Sequence, residues 1–282
     1  MEHKPDRLRR QEQLDAAPFR QIDGDWGKGL ILLCDHAENR IPPGYGTLGL
    51  SAGDLGRHIA YDIGAGAVTE ALAARLGVPA LITRFSRLLI DPNRGIDDPT
   101  LVMQISDGIM VPGNIGLDRA ELEARIRRYY APYHEAIDRA IDNAIAAGKP
   151  PALIAIHSFT QAWKSVPRPW HVAVLWDRDP RLAQPLLEEL RHLPGVVIGD
   201  NVPYSGQLKG DTLYRHGTER GLAHALIELR QDLVLSEEGQ RDWARHLAGV
   251  LAAVLAQGES SPRLHAIERY GSHTDRLRQG SG

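Results

Sequence analysis

The sequence predicts an α/β protein, a three-layer α/β/α sandwich built on a mostly parallel mixed sheet. Short apolar runs alternate with longer amphipathic stretches along the chain, the pattern of strands joined by crossover helices. Two of the runs, Gly29-Leu30-Ile31-Leu32-Leu33-Cys34 and Pro151-Ala152-Leu153-Ile154-Ala155-Ile156-His157-Ser158-Phe159, are apolar almost throughout rather than alternating. Strands covered on both faces read this way. With 282 residues the chain is long enough to bury one large core. The expected organisation is a polar lead-in over residues 1–25, one α/β domain over 26–258, and a polar tail over 259–282 that is a candidate for disorder.

Composition narrows the partners. A net charge of −3 with both signs interspersed offers no basic field for a nucleic acid or an anionic membrane. A small-molecule partner is expected, bound by a monomer or a small homo-oligomer. Met1 to Arg20 lacks the apolar core of a secretory signal, and no run approaches the roughly 18 to 20 apolar residues of a membrane span. The expected location is therefore the cytoplasm. The single cysteine, Cys34, excludes an internal disulfide and a thiolate zinc cage, and within its apolar run it reads as a small buried hydrophobe.

The elements follow in order. After the strand ending at Cys34, Pro42-Pro43-Gly44 marks a loop, because proline fixes φ and glycine permits positive φ. Ser51 is a suitable N-cap for a helix over Asp54–Leu76 with Gly77 as its stop. Residues 79–85 and 87–94 read as two further strands, and 99–116 as a loop near the site. Asp118 caps a long amphipathic helix over 119–147 whose stripe runs Leu122, Ile126, Tyr129, Tyr130, Tyr133, Ile137, Ile141 and Ile145. Strands are expected at 151–159, 170–176, 195–199 and 223–233, and helices at 180–192 and 237–257.

Ionisable residues gather where apolar runs stop. Ligand sites in open α/β sheets lie beyond the carboxyl ends of strands, and neutral imidazole is the commonest metal ligand. His36 and His157, each at the end of a buried-type strand, are thus candidate ligands of one shared site. His134, His192 and His246 lie in charge-rich helical stretches and read as solvated. Asp62 falls on the core-side strip of its helix, where it either orients a ligand histidine or caps something local. Arg84, Arg87 and Arg94 cluster near strand ends; Arg94, beside Asn93 in a proline-bounded turn, suits a carboxylate, the alternative being that Arg87 or Arg94 pairs with Asp91, Asp97 or Asp98, and for Arg84 and Arg87 both readings stay open. Tyr204 and Ser205 occupy a loop after a strand. Glu228 stands inside an apolar stretch, where a carboxylate is costly unless paired, metal-bound or protonated; it is the candidate general base, with an ion pair to Arg230 as the alternative.

Taken together, Asp35-His36-Ala37-Glu38-Asn39-Arg40-Ile41-Pro42, Ile90-Asp91-Pro92-Asn93-Arg94, His157-Ser158-Phe159, Asn201-Val202-Pro203-Tyr204-Ser205-Gly206 and Ile227-Glu228-Leu229-Arg230-Gln231-Asp232-Leu233 resemble, in their order, the N-formylglutamate amidohydrolase family over about residues 28–255. That family is similar, more distantly, to zinc carboxypeptidases and aspartoacylases. The resemblance implies a zinc-carboxypeptidase-like (phosphorylase/hydrolase-like) fold and zinc-dependent cleavage of an N-acylated acidic amino acid such as N-formylglutamate. By the same resemblance His36 and His157 hold zinc, Asn93 and Arg94 clamp a substrate carboxylate, Tyr204 contacts substrate and Glu228 is the base. Arg87, Ser158 and Ser205 complete the expected substrate-binding set. Where the carboxypeptidase pattern has Glu three residues after its first His, this chain has Asn39, with Glu38 one residue early. The third metal ligand is accordingly left among Glu38, Asn39 and Asp62. The substitution also opens two alternatives: a metallohydrolase of another N-acyl amino acid, peptide or cell-wall fragment, and a non-catalytic binding homologue.

Overall fold

A computed structural model describes residues 17–260 and 262–275. Its core is a seven-stranded mixed sheet built from β1 (Phe19–Ile22), β2 (Leu30–Cys34), β3 (Ala80–Thr83), β4 (Ala152–Phe159), β5 (Val172–Leu175), β6 (Ile198–Asp200) and β7 (His224–Arg230). The strand order is β1-β3-β2-β4-β7-β5-β6. Strands β3, β2, β4 and β7 run parallel to one another, β1 is antiparallel to β3, and β5 is antiparallel to β7. The buried-type reading of the central runs holds: every residue of β2, β3 and β4 is buried.

Alternation along the strands sends side chains into two layers. Leu30, Leu32, Ile154, Ile156, Ala225 and Ile227 pack with α2 (Ala65–Leu76), α5 (Pro180–Leu190) and α6 (Glu237–Ser260). Ile31, Leu33, Leu153, Ala155 and Leu226 pack on the opposite face against Tyr133, Ile137 and Ile141 of α4 (Ala131–Ala146). A third cluster, including Leu50, Ile59, Phe85, Leu88, Tyr129 and Tyr130, is formed by the long loops and the helical turn at Ile126–Tyr130. Burial of these apolar faces is the main driving force for the layered arrangement.

Several expected elements differ. The helix foreseen over Asp54–Leu76 is two pieces, α1 (Ala52–Leu55), capped by Ser51, and α2, separated by a stretch of turns. Gly64 adopts φ +81, and a Cβ there would lie 2.3 Å from the Val234 carbonyl oxygen, so neither the conformation nor the space admits another residue. The strand foreseen at 87–94 is instead a chain of turns, although Leu88, Leu89 and Ile90 are fully buried; its apolar character reflects packing in the loop cluster, not pairing. The long helix is α3 (Arg119–Arg125), a π-helical segment (Ile126–Tyr130) and α4. Pro132 has no N–H to give the carbonyl four residues back, and the Ala131 N–H bonds Ile126, five residues back, so the ladder shifts register before the proline.

Phe19–Ile22, within the expected lead-in, forms the edge strand β1. Residues 262–275, within the expected tail, run beside α5, where the Arg181 guanidinium donates to the carbonyls of Arg263, Ala266 and Glu268. No helix among the described residues is long and apolar enough to cross a membrane.

Candidate active site

The carboxyl ends of β2, β4 and β7 meet at one edge of the sheet. His157 on β4 and Glu228 on β7 are register partners, and strand alternation puts both side chains on the α4 side, one strand spacing apart. His36 follows β2 by two residues. Its ring meets that of His157 edge-on, with centroids 4.9 Å apart. The turns between α1 and α2 bring in Asp62, whose backbone N–H donates to the His36 carbonyl at 2.8 Å. Asp62 Oδ2 lies 2.8 Å from His157 Nδ1 and 3.4 Å from His36 Nδ1.

The other ring nitrogen of each imidazole faces a carboxylate of its own. His36 Nε2 is 2.7 Å from Asp91 Oδ1, and His157 Nε2 is 3.0 Å from Asp35 Oδ2. Both carboxylates are themselves held. Tyr133 and Thr212 hydroxyls donate to Asp35 Oδ1 at 2.9 Å each, and the Arg87 guanidinium donates to Asp91 Oδ2 at 2.7 and 3.1 Å. With Nε2–H directed at a carboxylate, each neutral imidazole turns its Nδ1 lone pair towards Asp62. Three donor atoms thus converge within 4.8 Å, and only a proton or a metal cation relieves their mutual repulsion.

Protons and a cation compete to balance the charge of this cluster. Burial opposes ionisation of Asp62, but the two imidazoles outweigh it and hold its carboxyl well below the usual range. Asp91 is likewise buried, and Arg87 and His36 keep it ionised. For Asp35, hydrogen bonds from His157 and Thr212 overcome burial. Burial also opposes charge on His157, yet its bonds to Asp35 and Asp62 lift its pKa well above the usual imidazole value. Three carboxylates therefore face one guanidinium, Arg87, which leaves two negative charges when both imidazoles are neutral. A divalent cation at the His36, Asp62 and His157 atoms fits this balance, and two nitrogens with one carboxylate oxygen suit zinc in particular.

Beside this cluster Glu228 is 7% exposed, and its Oε2 has no hydrogen-bond partner among the described residues. Burial, reinforced by Asp62 and opposed by His157, Arg87 and Arg168, pushes its pKa up to about 8. The alternative partner, Arg230, is engaged with Asp232 at 2.7 Å. A cleft of about 310 Å³ opens over the cluster, lined by His36, Asp62, His157, Glu228, Asn93 and Arg94 among others.

The remaining expected site residues divide. Asn93, Arg94, Tyr204 and Ser205 line the cleft; Asn93 Oδ1 accepts from the Thr212 backbone at 3.1 Å. Arg94 donates to Thr100 Oγ1 and the Asn93 carbonyl and to no carboxylate among the described residues. Arg87 reaches the cleft but its fork is spent on Asp91. Ser158 is a brace for the Asp62 turn: its hydroxyl donates to the Ile63 carbonyl at 2.9 Å. The structure does not bring Glu38 or Asn39 to the histidines. Glu38 faces Arg40 and Arg84 at 3.8 and 3.6 Å, and the Asn39 amide donates to the Leu55 carbonyl at 2.8 Å.

Sequence reasoning passed over Asp35 and Asp91 as the groups that orient the imidazoles, though both stand beside quoted motif residues. It also missed Thr212, Tyr133 and Arg168. His134, read as solvated, is fully buried, with Nε2 3.0 Å from the Pro92 carbonyl and Nδ1 2.8 Å from His216 Nε2. Its helix turns that face inward against the Asp91–Arg94 loop, which the local charge pattern does not reveal.

The profile of the N-formylglutamate amidohydrolase family matches residues 28–235. Among solved structures, a gene product of Agrobacterium tumefaciens superposes with a TM-score of 0.81 at 33% identity, covering 88% of this chain and 98% of that one. The N-formylglutamate amidohydrolase of Ralstonia eutropha JMP134 does so with a TM-score of 0.64 at 26% identity, covering 88% and 99%. No curated protein matches the sequence. A profile match over most of the chain, and alignment with nearly the full length of two solved relatives, places this protein in the N-formylglutamate amidohydrolase family.

Proposed function

We propose that this protein, a hydrolase acting on an amide, is a zinc-dependent enzyme that cleaves the acyl amide of an N-acylated acidic amino acid such as N-formylglutamate. The observation that carries this reading is the convergence of His36 Nδ1, His157 Nδ1 and Asp62 Oδ2 beside a buried carboxyl, Glu228, with an unpartnered oxygen. His36, Asp62 and His157 would hold the ion. When bound, zinc supplies Lewis acidity, which polarises an acyl oxygen and acidifies water to a pKa near 7.

The chain's own groups account for the rest. Glu228 takes a proton from the attacking water at its free oxygen as the water oxygen adds to the acyl carbon. As the C–N bond breaks, the same carboxyl returns that proton to the leaving nitrogen, giving formate and the free amino acid from a formyl substrate. Asn93 and Arg94 hold a carboxylate of the substrate, and the Tyr204 hydroxyl supplies a polar contact at the cleft wall. Asp35 and Asp91 keep each imidazole in the Nε2–H tautomer. The non-catalytic alternative rested on Asn39 standing where a carboxylate ligand was wanted, and Asp62 supplies that carboxylate.

The test is a panel of N-formyl and N-acetyl amino acids assayed with protein of measured metal content. Turnover of N-formylglutamate that tracks about one zinc per chain supports the proposal. Metal-replete protein that turns over none of the panel refutes it.

A further inference from the structure

Arg168 is 9% exposed and sits against three aromatic rings. Its guanidinium carbon lies 5.1 Å from the Tyr204 ring centroid, 5.7 Å from Trp163 and 5.9 Å from Phe159. One terminal nitrogen donates to the Tyr204 hydroxyl at 3.1 Å and to the Thr160 hydroxyl and carbonyl at 3.0 and 3.3 Å. Its other side-chain nitrogens bond to nothing described, and no described carboxylate lies within ion-pair distance. Other largely buried arginines of this protein are neutralised: Arg181 by Asp179 at 2.6 Å and Arg125 by Glu121 at 3.0 Å.

A buried charge without a counter-ion is expensive, and contacts with ring faces offset only part of the cost. The three rings around Arg168 all line the cleft. Arg94 also lines the cleft, next to Asn93 and three residues after Asp91, which orients His36. The carboxylate nearest a scissile amide belongs beside that loop. The guanidinium lies against these rings, and an aromatic wall backed by a cation suits a short methylene chain carrying a second anion.

Building on the proposed function, we infer that Arg168 is the specificity residue for the side-chain carboxylate of the substrate. The ligand class is then an N-acyl amino acid with two carboxylates. Arg94 and Asn93 take the one next to the amide, the unbonded edge of Arg168 takes the distal one, and Phe159, Trp163 and Tyr204 flank the methylenes between. Arginine suits this position because its planar fork matches a carboxylate while its face stacks on aromatic rings.

The experiment compares kcat/KM for N-formylglutamate and its isosteric neutral analogue N-formylglutamine in wild type, Arg168→Met and Arg168→Lys. Wild type should favour the glutamate compound, and Arg168→Met should lower that preference by about 10- to 100-fold, the worth of a charge-assisted hydrogen bond. Arg168→Lys, which keeps charge and loses the fork, should fall between, and it carries the test if the methionine variant does not fold. A loss of equal factor on both substrates would mean that Arg168 only holds Tyr204 in place, and would overturn the inference. If wild type hydrolyses neither compound, the proposed function has failed, and calorimetric binding of glutarate decides separately. Binding that weakens with Arg168→Met upholds the anion site; no binding, or equal binding by the variant, overturns it.

Discussion

Replacing Glu228 by glutamine separates chemistry from architecture at one position. The amide has nearly the size of the carboxyl, and the oxygen it alters has no partner to lose. No arginine pairs with Glu228 among the described residues, since Arg230 is held by Asp232. The cost of roughly 3 to 5 kcal/mol that follows from breaking a buried ion pair is therefore not expected. The sign is the opposite. A carboxyl whose folded pKa is raised from 4.5 to about 8 contributes stability fully below the unfolded value, and that contribution is lost as pH rises towards the folded one. Near pH 7, metal-depleted wild type should carry a penalty of about 3 kcal/mol that glutamine does not. Turnover should fall by about 10² to 10⁴, because the amide cannot accept a proton from water. Chemical denaturation, elemental analysis and initial rates on one preparation give the three readings. A folded, metal-replete Glu228→Gln protein with wild-type turnover would remove Glu228 as base. A variant several kcal/mol less stable would mean that its carboxylate is a structural ion after all.

Three further outcomes follow from the same geometry. Asp62→Asn should sharply reduce bound zinc, whereas Asn39→Ala and Glu38→Gln should retain it; elemental analysis after dialysis decides which residue is the third ligand. Asp91→Asn keeps the shape around His36 but weakens the carboxylate that orients it, and a competitive chelator should report metal affinity about 10- to 100-fold lower. Retention of full affinity would show that Asp91 serves Arg87 alone. For His134, burial and the neighbouring His216 depress the pKa to about 3, below the unfolded value of 6.5. The unfolded chain then binds the proton more readily, so this contribution is fully present above pH 6.5 and is lost as pH falls towards 3. Between pH 7.5 and 5 the loss is about 2 kcal/mol, and urea titrations of His134→Phe should show a pH dependence smaller than wild type by that amount; an unchanged dependence would contradict it.

The central sheet and the two histidines were legible in the sequence because they rest on local patterns. A continuous apolar run can only be a segment buried on both sides, and a polar residue at its end is delivered to the sheet edge whatever the rest of the chain does. That logic singled out His36 and His157, the cost of a carboxylate inside an apolar stretch singled out Glu228, and a proline-bounded turn singled out Asn93 and Arg94. Asp62 was visible as an oddity on an apolar strip, but the helical pattern around it hid the break at Gly64, where contact with Val234, distant in sequence, dictates the backbone. Glu38 and Asn39 stand two and three residues from His36 and point elsewhere, because spacing fixes proximity along the chain and not direction in space. The roles of Asp35 and Asp91, and the lack of a counter-ion at Arg168 among the described residues, are sums over residues from several elements. Local sequence determines which segments are buried and where strands end; the pairing of charges across those ends is a long-range quantity, and only the assembled tertiary structure decided it.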